Sequence, residues 1–152
     1  MTDPRTDVLE ALRSYAIRYQ ESAHHLAAFL DLPMNDGAAL GEILWAENEG
    51  NPLSAARLHW RIGMTSGATN ALIKRLEARG LVTRTRESED RRIVTLRATD
   101  DARLQTAPFL HASADDLQGA LASYSDTELA THAAFLRHFA SVLPQSTSPS
   151  TD

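Results

Sequence analysis

Apolar residues recur at steps of three and four along the first thirty positions: Val8, Leu12, Tyr15, Tyr19, Ala23, Leu26 and Leu30. That spacing draws one apolar stripe along a helix. The helix is expected to begin at Asp7, after a disordered start at residues 1–5. It should end near Asp31-Leu32-Pro33, because a residue before proline disfavours helical backbone. Asn35 can cap a second helix, with Ala39, Leu40, Ile43, Leu44 and Trp45 inward. Glu47 to Pro52 is a polar connector rich in breakers. Ser54 then caps a third helix, with Ala55, Leu58 and Ile62 inward. Beyond Gly63-Met64, Thr65 caps a fourth, whose inward set is Leu72, Ile73 and Leu76 with Thr69 at the boundary; Gly80 supplies its stop.

The period then shortens to two. Leu81 to Thr85 and Ile93 to Leu96 are β-branched runs, expected as strands flanking a charged loop from Arg86 to Arg92. Thr99 or Asp100 opens another helix, where Pro108 predicts a kink or break near Thr106-Ala107. Leu117 and Leu121 extend its apolar face. Ser125 and Glu128 form a capping box ahead of a last stripe of Leu129, Ala133, Leu136, Phe139, Ala140 and Leu143. The expected fold is mostly α with a small β-wing: a winged helix-turn-helix plus N- and C-terminal dimerisation helices. Its parts divide as 1–34 (N-terminal dimerisation helix), 35–99 (winged helix-turn-helix), 100–143 (C-terminal dimerisation helices) and 144–152 (a Ser/Thr/Pro-rich disordered tail). A helix-turn-helix with a wing can lay its second helix in a DNA major groove and reach the adjacent backbone or minor groove with the wing.

Charge sharpens this picture. The chain carries −5 overall, yet from Lys74 to Arg97 eight basic residues meet four acidic ones, a local +4 that leaves −9 elsewhere. A basic patch on an acidic body can bind phosphates on one face and repel them on others; a solvated charged hairpin would look the same. Hydrophobic residues make up 43% of the 152 positions, enough for a core in a chain of one-domain length. No apolar run approaches the ~18 residues of a membrane span, and no signal peptide is visible. Zero cysteines exclude disulfides, thiolate chemistry and zinc fingers, and the expected compartment is the cytoplasm.

On the fourth helix the outward face reads Ser66, Gly67, Asn70, Ala71 and Lys74. Gly67 and Ala71 are small enough to let backbone approach another surface. Asn70 can pair bidentately with an adenine edge, and Lys74 can reach a guanine or a phosphate; an ordinary solvent face would use the same residues. Arg75, Arg84, Arg91 and Arg92 complete the candidate DNA-binding set. Asp90 is placed to orient an arginine of the wing, or to make a plain surface salt bridge.

The segment from Gly67 to Arg84, with its Arg75-Leu76-Glu77 and Gly80-Leu81-Val82-x-Arg84 pattern, and the wing from Glu89 to Thr99 resemble the MarR family of bacterial transcription regulators. The resemblance covers about residues 7–143. It implies a winged-helix homodimer held by the N-terminal helix and the last two helices. It further implies a recognition helix over 66–79 and a wing Asp-x-Arg at Asp90 and Arg92, with Arg92 entering a minor groove. The partner implied is double-stranded DNA bearing a pseudo-palindromic operator, and the role implied is a repressor. Many members release DNA when a small aromatic molecule binds between the DNA-binding lobe and the dimer helices; His24, His25 and Trp45 are the candidate effector-binding residues, with core packing the alternative for Trp45 and Trp60. Three positions depart from the family pattern: Ala98 before Thr99, Ala102 in place of a glycine, and His59 where a small alanine packs closely.

An enzyme is the competing class. The six histidines (24, 25, 59, 111, 132 and 138) make no His-x-x-x-His pair and no metal-site spacing with carboxylates. No phosphate loop or nucleophile motif appears. No catalytic residue, cofactor or metal is therefore expected. A winged-helix module for protein–protein contact without a DNA target is the remaining alternative.

Overall fold

The computed structural model describes residues 3–87, 89, 90 and 92–143. The expected tail at 144–152 lies outside them. The elements run α1 (Pro4–Phe29), α2 (Met34–Asn48), α3 (Ala55–Ile62), α4 (Ser66–Ala78), β1 (Val82–Thr85), β2 (Thr95–Ala98), α5 (Asp100–Leu121) and α6 (Asp126–Val142). They fall into two compact units, one through Leu110 and one from His111 onward.

In the first unit the core is built by the stripes of α1 to α4. Leu26, Leu40, Ile43, Leu58, Leu72, Ile73 and Leu76 are buried, closed from the strand side by Leu81, Val82 and Leu96. Burying each such side chain is worth about 1.5–3 kcal/mol, so the four helices and the strand pair stand or fall together. α1 and α2 approach closely where Gly37 faces Ala27: a Cβ at Gly37 would lie 2.4 Å from that of Ala27. The strands pair antiparallel from Val82↔Ala98 to Thr85↔Thr95. The connector before α3 adds a rung, since the Leu96 N–H donates to the Leu53 carbonyl at 2.8 Å and Ser54 bridges Thr95.

Several boundaries differ from the sequence expectation. α1 starts at Pro4 rather than Asp7: the Asp3 carboxylate accepts from the Arg5 N–H, and proline suits the first turn, where its missing N–H costs nothing. Residues 3–5 are thus ordered. α2 starts at Met34, with Pro33 rather than Asn35 at its N-cap and no side-chain cap; the fixed proline φ turns the chain instead. The second strand begins at Thr95, leaving Ile93 and Val94 outside it. α5 is not broken at Pro108. Trp45 and Trp60 are not core residues; they are 57% and 51% exposed. Trp45 follows Ile43 and Leu44, and at about 100° per residue it is carried off the face they share.

In the second unit the Ser125–Glu128 capping box opens α6: the Ser125 N–H donates to Glu128 Oε2 at 2.9 Å and Ser125 Oγ accepts from the Glu128 N–H at 3.4 Å. No residue of α6 is buried; Leu136 and Val142 are exposed on it, as is Leu143 at its C-cap.

Candidate nucleic-acid interface

The turn between α3 and α4 is set by Gly63, in the left-handed region at φ 64°, and by Thr65, whose hydroxyl accepts from the Ala68 N–H at 3.2 Å. Thr69 donates back to the Thr65 carbonyl at 2.9 Å. With Thr69, Leu72, Ile73 and Leu76 buried, the helical period turns Ser66, Gly67, Asn70, Ala71 and Lys74 outward, and all five are exposed. A Cβ at Gly67 would meet nothing within 4 Å. This face is small near its start and polar to cationic beyond.

The arginines of the basic stretch divide into two groups. Arg75, a candidate reader, is committed inward: its Nε and Nη2 donate to Asp36 Oδ2 and Oδ1 at 2.9 and 2.6 Å, and Asp36 is buried in the first turn of α2. That hydrogen bond raises the Arg75 guanidinium above its ordinary value. Arg75 thereby ties α4 to α2, while its side chain stays 51% exposed. Arg79 donates to the Leu30 and Asp31 carbonyls at the end of α1. Arg84 pairs with Glu77 at 3.1 Å. Arg97 joins Glu87 and the buried Glu47 carboxylate. Among the described residues, Lys74, Arg86 and Arg92 are left exposed with no ion pair. Arg91 lies outside the described residues.

The wing is held at its base. Arg97 Nε donates to Glu87 Oε1 at 2.8 Å, its Nη2 to Glu87 Oε2, and the Thr85 hydroxyl to Oε1 at 2.5 Å. The Arg97 guanidinium, then Thr85, hold the Glu87 carboxyl down to about 2, and Glu87 in turn raises Arg97. Glu47 accepts from Arg97, Arg103 and the Ala98 N–H, tying α2 to β2 and the first turn of α5. Nearer the tip, Asp90 Oδ1 accepts from the Arg92 backbone N–H at 3.0 Å. Asp90 thus acts on the wing arginine through the backbone, in a local turn.

Two recesses flank this surface. A slot of about 160 Å³ lies between α3 and α4, lined by Ala55, Ala56, His59, Ser66, Thr69 and Asn70. A groove of about 580 Å³ runs between the start of α3 and the wing, with Arg57, Arg84 and Arg92 among its walls. The effector candidates His24, His25 and Trp45 are each exposed and line neither recess. Asp36 and Glu47 are the site-building residues missed in the sequence. The signal was their spacing: both fall on the stripe of Leu40 and Ile43, where a carboxylate has to find a partner. Among the described residues no group of three or more metal-binding side chains occurs, and none of their helices is long and apolar enough to cross a membrane.

A family model described as the MarR family matches residues 30–93, from the end of α1 to the wing. The MarR winged-helix fold extends over nearly the whole chain. A MarR family protein from Bacillus stearothermophilus is 22% identical, with a TM-score of 0.62 over 93% of this chain and 97% of that one. S. aureus MepR in its DNA-binding conformation is 18% identical, with a TM-score of 0.69 over 90% and 98%. The S. aureus MepR–DNA complex is also 18% identical, with a TM-score of 0.61 over 88% and 94%. None of the curated proteins matches the sequence.

Proposed function

We propose that the protein is a homodimeric, sequence-specific, double-stranded DNA-binding transcription regulator, with α4 as its recognition helix. The observation that carries this reading is the outward face of α4. Five consecutive-turn positions, Ser66, Gly67, Asn70, Ala71 and Lys74, are exposed while the opposite side locks into the core. Small residues admit a close surface, Asn70 offers a paired donor and acceptor for an adenine edge, and Lys74 supplies charge. Arg92 and Arg86 on the wing lie exposed to take phosphates or a minor groove. The likeness to a MarR-fold protein solved in complex with DNA supports the DNA-binding reading.

Dimerisation follows from apolar surface that a single copy leaves uncovered. In the first unit α1 exposes Leu9, Tyr15, Ile17 and Tyr19; in the second, Leu117, Leu136, Val142 and Leu143 are exposed. A second copy burying these faces sets two recognition helices at a fixed spacing, which suits a pseudo-palindromic operator and repression by occupancy. A small aromatic effector would act only through its differential affinity for two such spacings. The test is binding to a labelled duplex across a salt series, with sedimentation of the free protein. Expected are a dimer and a log affinity that falls linearly with log salt, by about 0.9 per phosphate contact. Absence of DNA retention at low salt would favour the protein–protein module instead.

A further inference from the structure

The slot between α3 and α4 contains one titratable side chain. His59 Nδ1 is hydrogen-bonded to the Met64 carbonyl in the turn. A carbonyl only accepts, so Nδ1 carries its proton whether the ring is neutral or charged. All the chemistry of protonation therefore falls on Nε2, which has no hydrogen bond among the described residues. Neutral His59 presents a bare lone pair there; the imidazolium presents an N–H and a positive charge.

The surroundings favour an anion once the ring is charged. The rest of the lining is alanine, serine, threonine and asparagine, with no carboxylate. The charged neighbours on α3 are turned to other partners, Arg57 to Asn51 and Arg61 to Glu42 of α2. On α4 the next charge is Lys74, one turn beyond Asn70 and also positive. The small side chains of Ala55 and Ala56 keep the slot open, and Ser66 and Asn70 place it beside the face that would meet DNA.

We propose that His59 takes a DNA backbone phosphate on Nε2, gaining a proton as it does so, which makes DNA affinity rise with falling pH. The proposal rests on the DNA-binding reading above. The sign follows from linkage: the complex binds more protons than the free protein, so lower pH favours it.

The experiment is anisotropy titration of a random-sequence duplex at constant ionic strength, from pH 5.5 to 8, with wild type, His59→Gln and His59→Ala. Thermal melts of all three accompany it. Wild-type affinity is expected to climb by up to about tenfold per pH unit for each His59 engaged. Both variants should still bind at pH 8 but lose that dependence. The other five histidines remain in all three proteins and cancel in the comparison. If the alanine variant does not fold, the glutamine variant carries the comparison alone. An identical pH dependence in wild type and variants would overturn the proposal, as would a loss equal at every pH, which marks a structural side chain. No binding by any protein at any pH would instead remove the DNA-binding reading itself.

Discussion

Gly37→Ala should destabilise the protein although it improves helix propensity. Gly37 lies inside α2, where alanine in place of glycine gains up to about 1 kcal/mol. Against that stands a direct collision. The new methyl would lie 2.4, 2.5 and 2.8 Å from Ala27 Cβ, Cα and N. Two of those atoms are α1 backbone and the third is fixed to it, so no side chain can swing aside. The helices would have to part by roughly 1 Å to restore ordinary carbon–carbon contact. Overpacking of this kind costs about 1–3 kcal/mol, occasionally more, and backbone on one side puts this site at the upper end. A net loss of about 1–2 kcal/mol is expected. Gly41→Ala, one turn on in the same helix, is the control. Its methyl would meet only Leu26 Cδ2, at 3.5 Å, so the propensity gain should survive. Urea unfolding at one fixed protein concentration reads both. The midpoint should fall for Gly37→Ala and hold or rise for Gly41→Ala, with slopes unchanged. A Gly37→Ala midpoint at or above wild type would refute the close α1–α2 approach.

Glu87, held down to about 2 by Arg97 and then Thr85, contributes wing stability that is present above the ordinary carboxylate range and lost as pH falls through the folded value. Carbon-13 NMR should find this carboxyl still ionised near pH 3, and Arg97→Gln should return it toward the ordinary range; an unshifted Glu87 in wild type would contradict the clamp. Leu136→Asp places a charge on the exposed apolar face of α6 and should shift sedimentation from dimer to monomer, since each leucine buried at an interface is worth about 1.5–3 kcal/mol. A wild type that sediments as a monomer at micromolar concentration would refute the dimer.

The parts of the fold legible in the sequence are those fixed by short-range chemistry. Ser54, Thr65 and Ser125 announce their helices because a hydroxyl at the N-cap satisfies a backbone N–H that nothing else reaches. Leu72, Ile73 and Leu76 announce which side of α4 is inward, and the outward face of the candidate site follows by elimination. The illegible parts depend on distant partners. Arg75 looks like a reading residue until Asp36, thirty-nine positions earlier, is found to hold it. Arg79, Arg84 and Arg97 likewise count toward a basic patch in sequence but serve as clamps in space. The net charge of the segment therefore overstates the charge free to meet DNA. Trp45 misleads for another reason: large apolar side chains count as core in any tally, yet here the turn of α2 points this one outward.

The most direct measurement is a salt titration of wild type, Asn70→Ala and Arg92→Ala on two duplexes, one selected by the protein from a random pool and one with the selected sequence scrambled. Half-sites in the selected duplex should lie about 34 Å apart, one helical turn, or a multiple of it. Arg92→Ala should weaken binding to both duplexes and make the salt slope shallower by about one counterion per subunit. Asn70→Ala should leave the slope unchanged, cost about 1–3 kcal/mol on the selected duplex and little on the scrambled one. Equal losses from Asn70→Ala on both duplexes would contradict α4 as the reading helix.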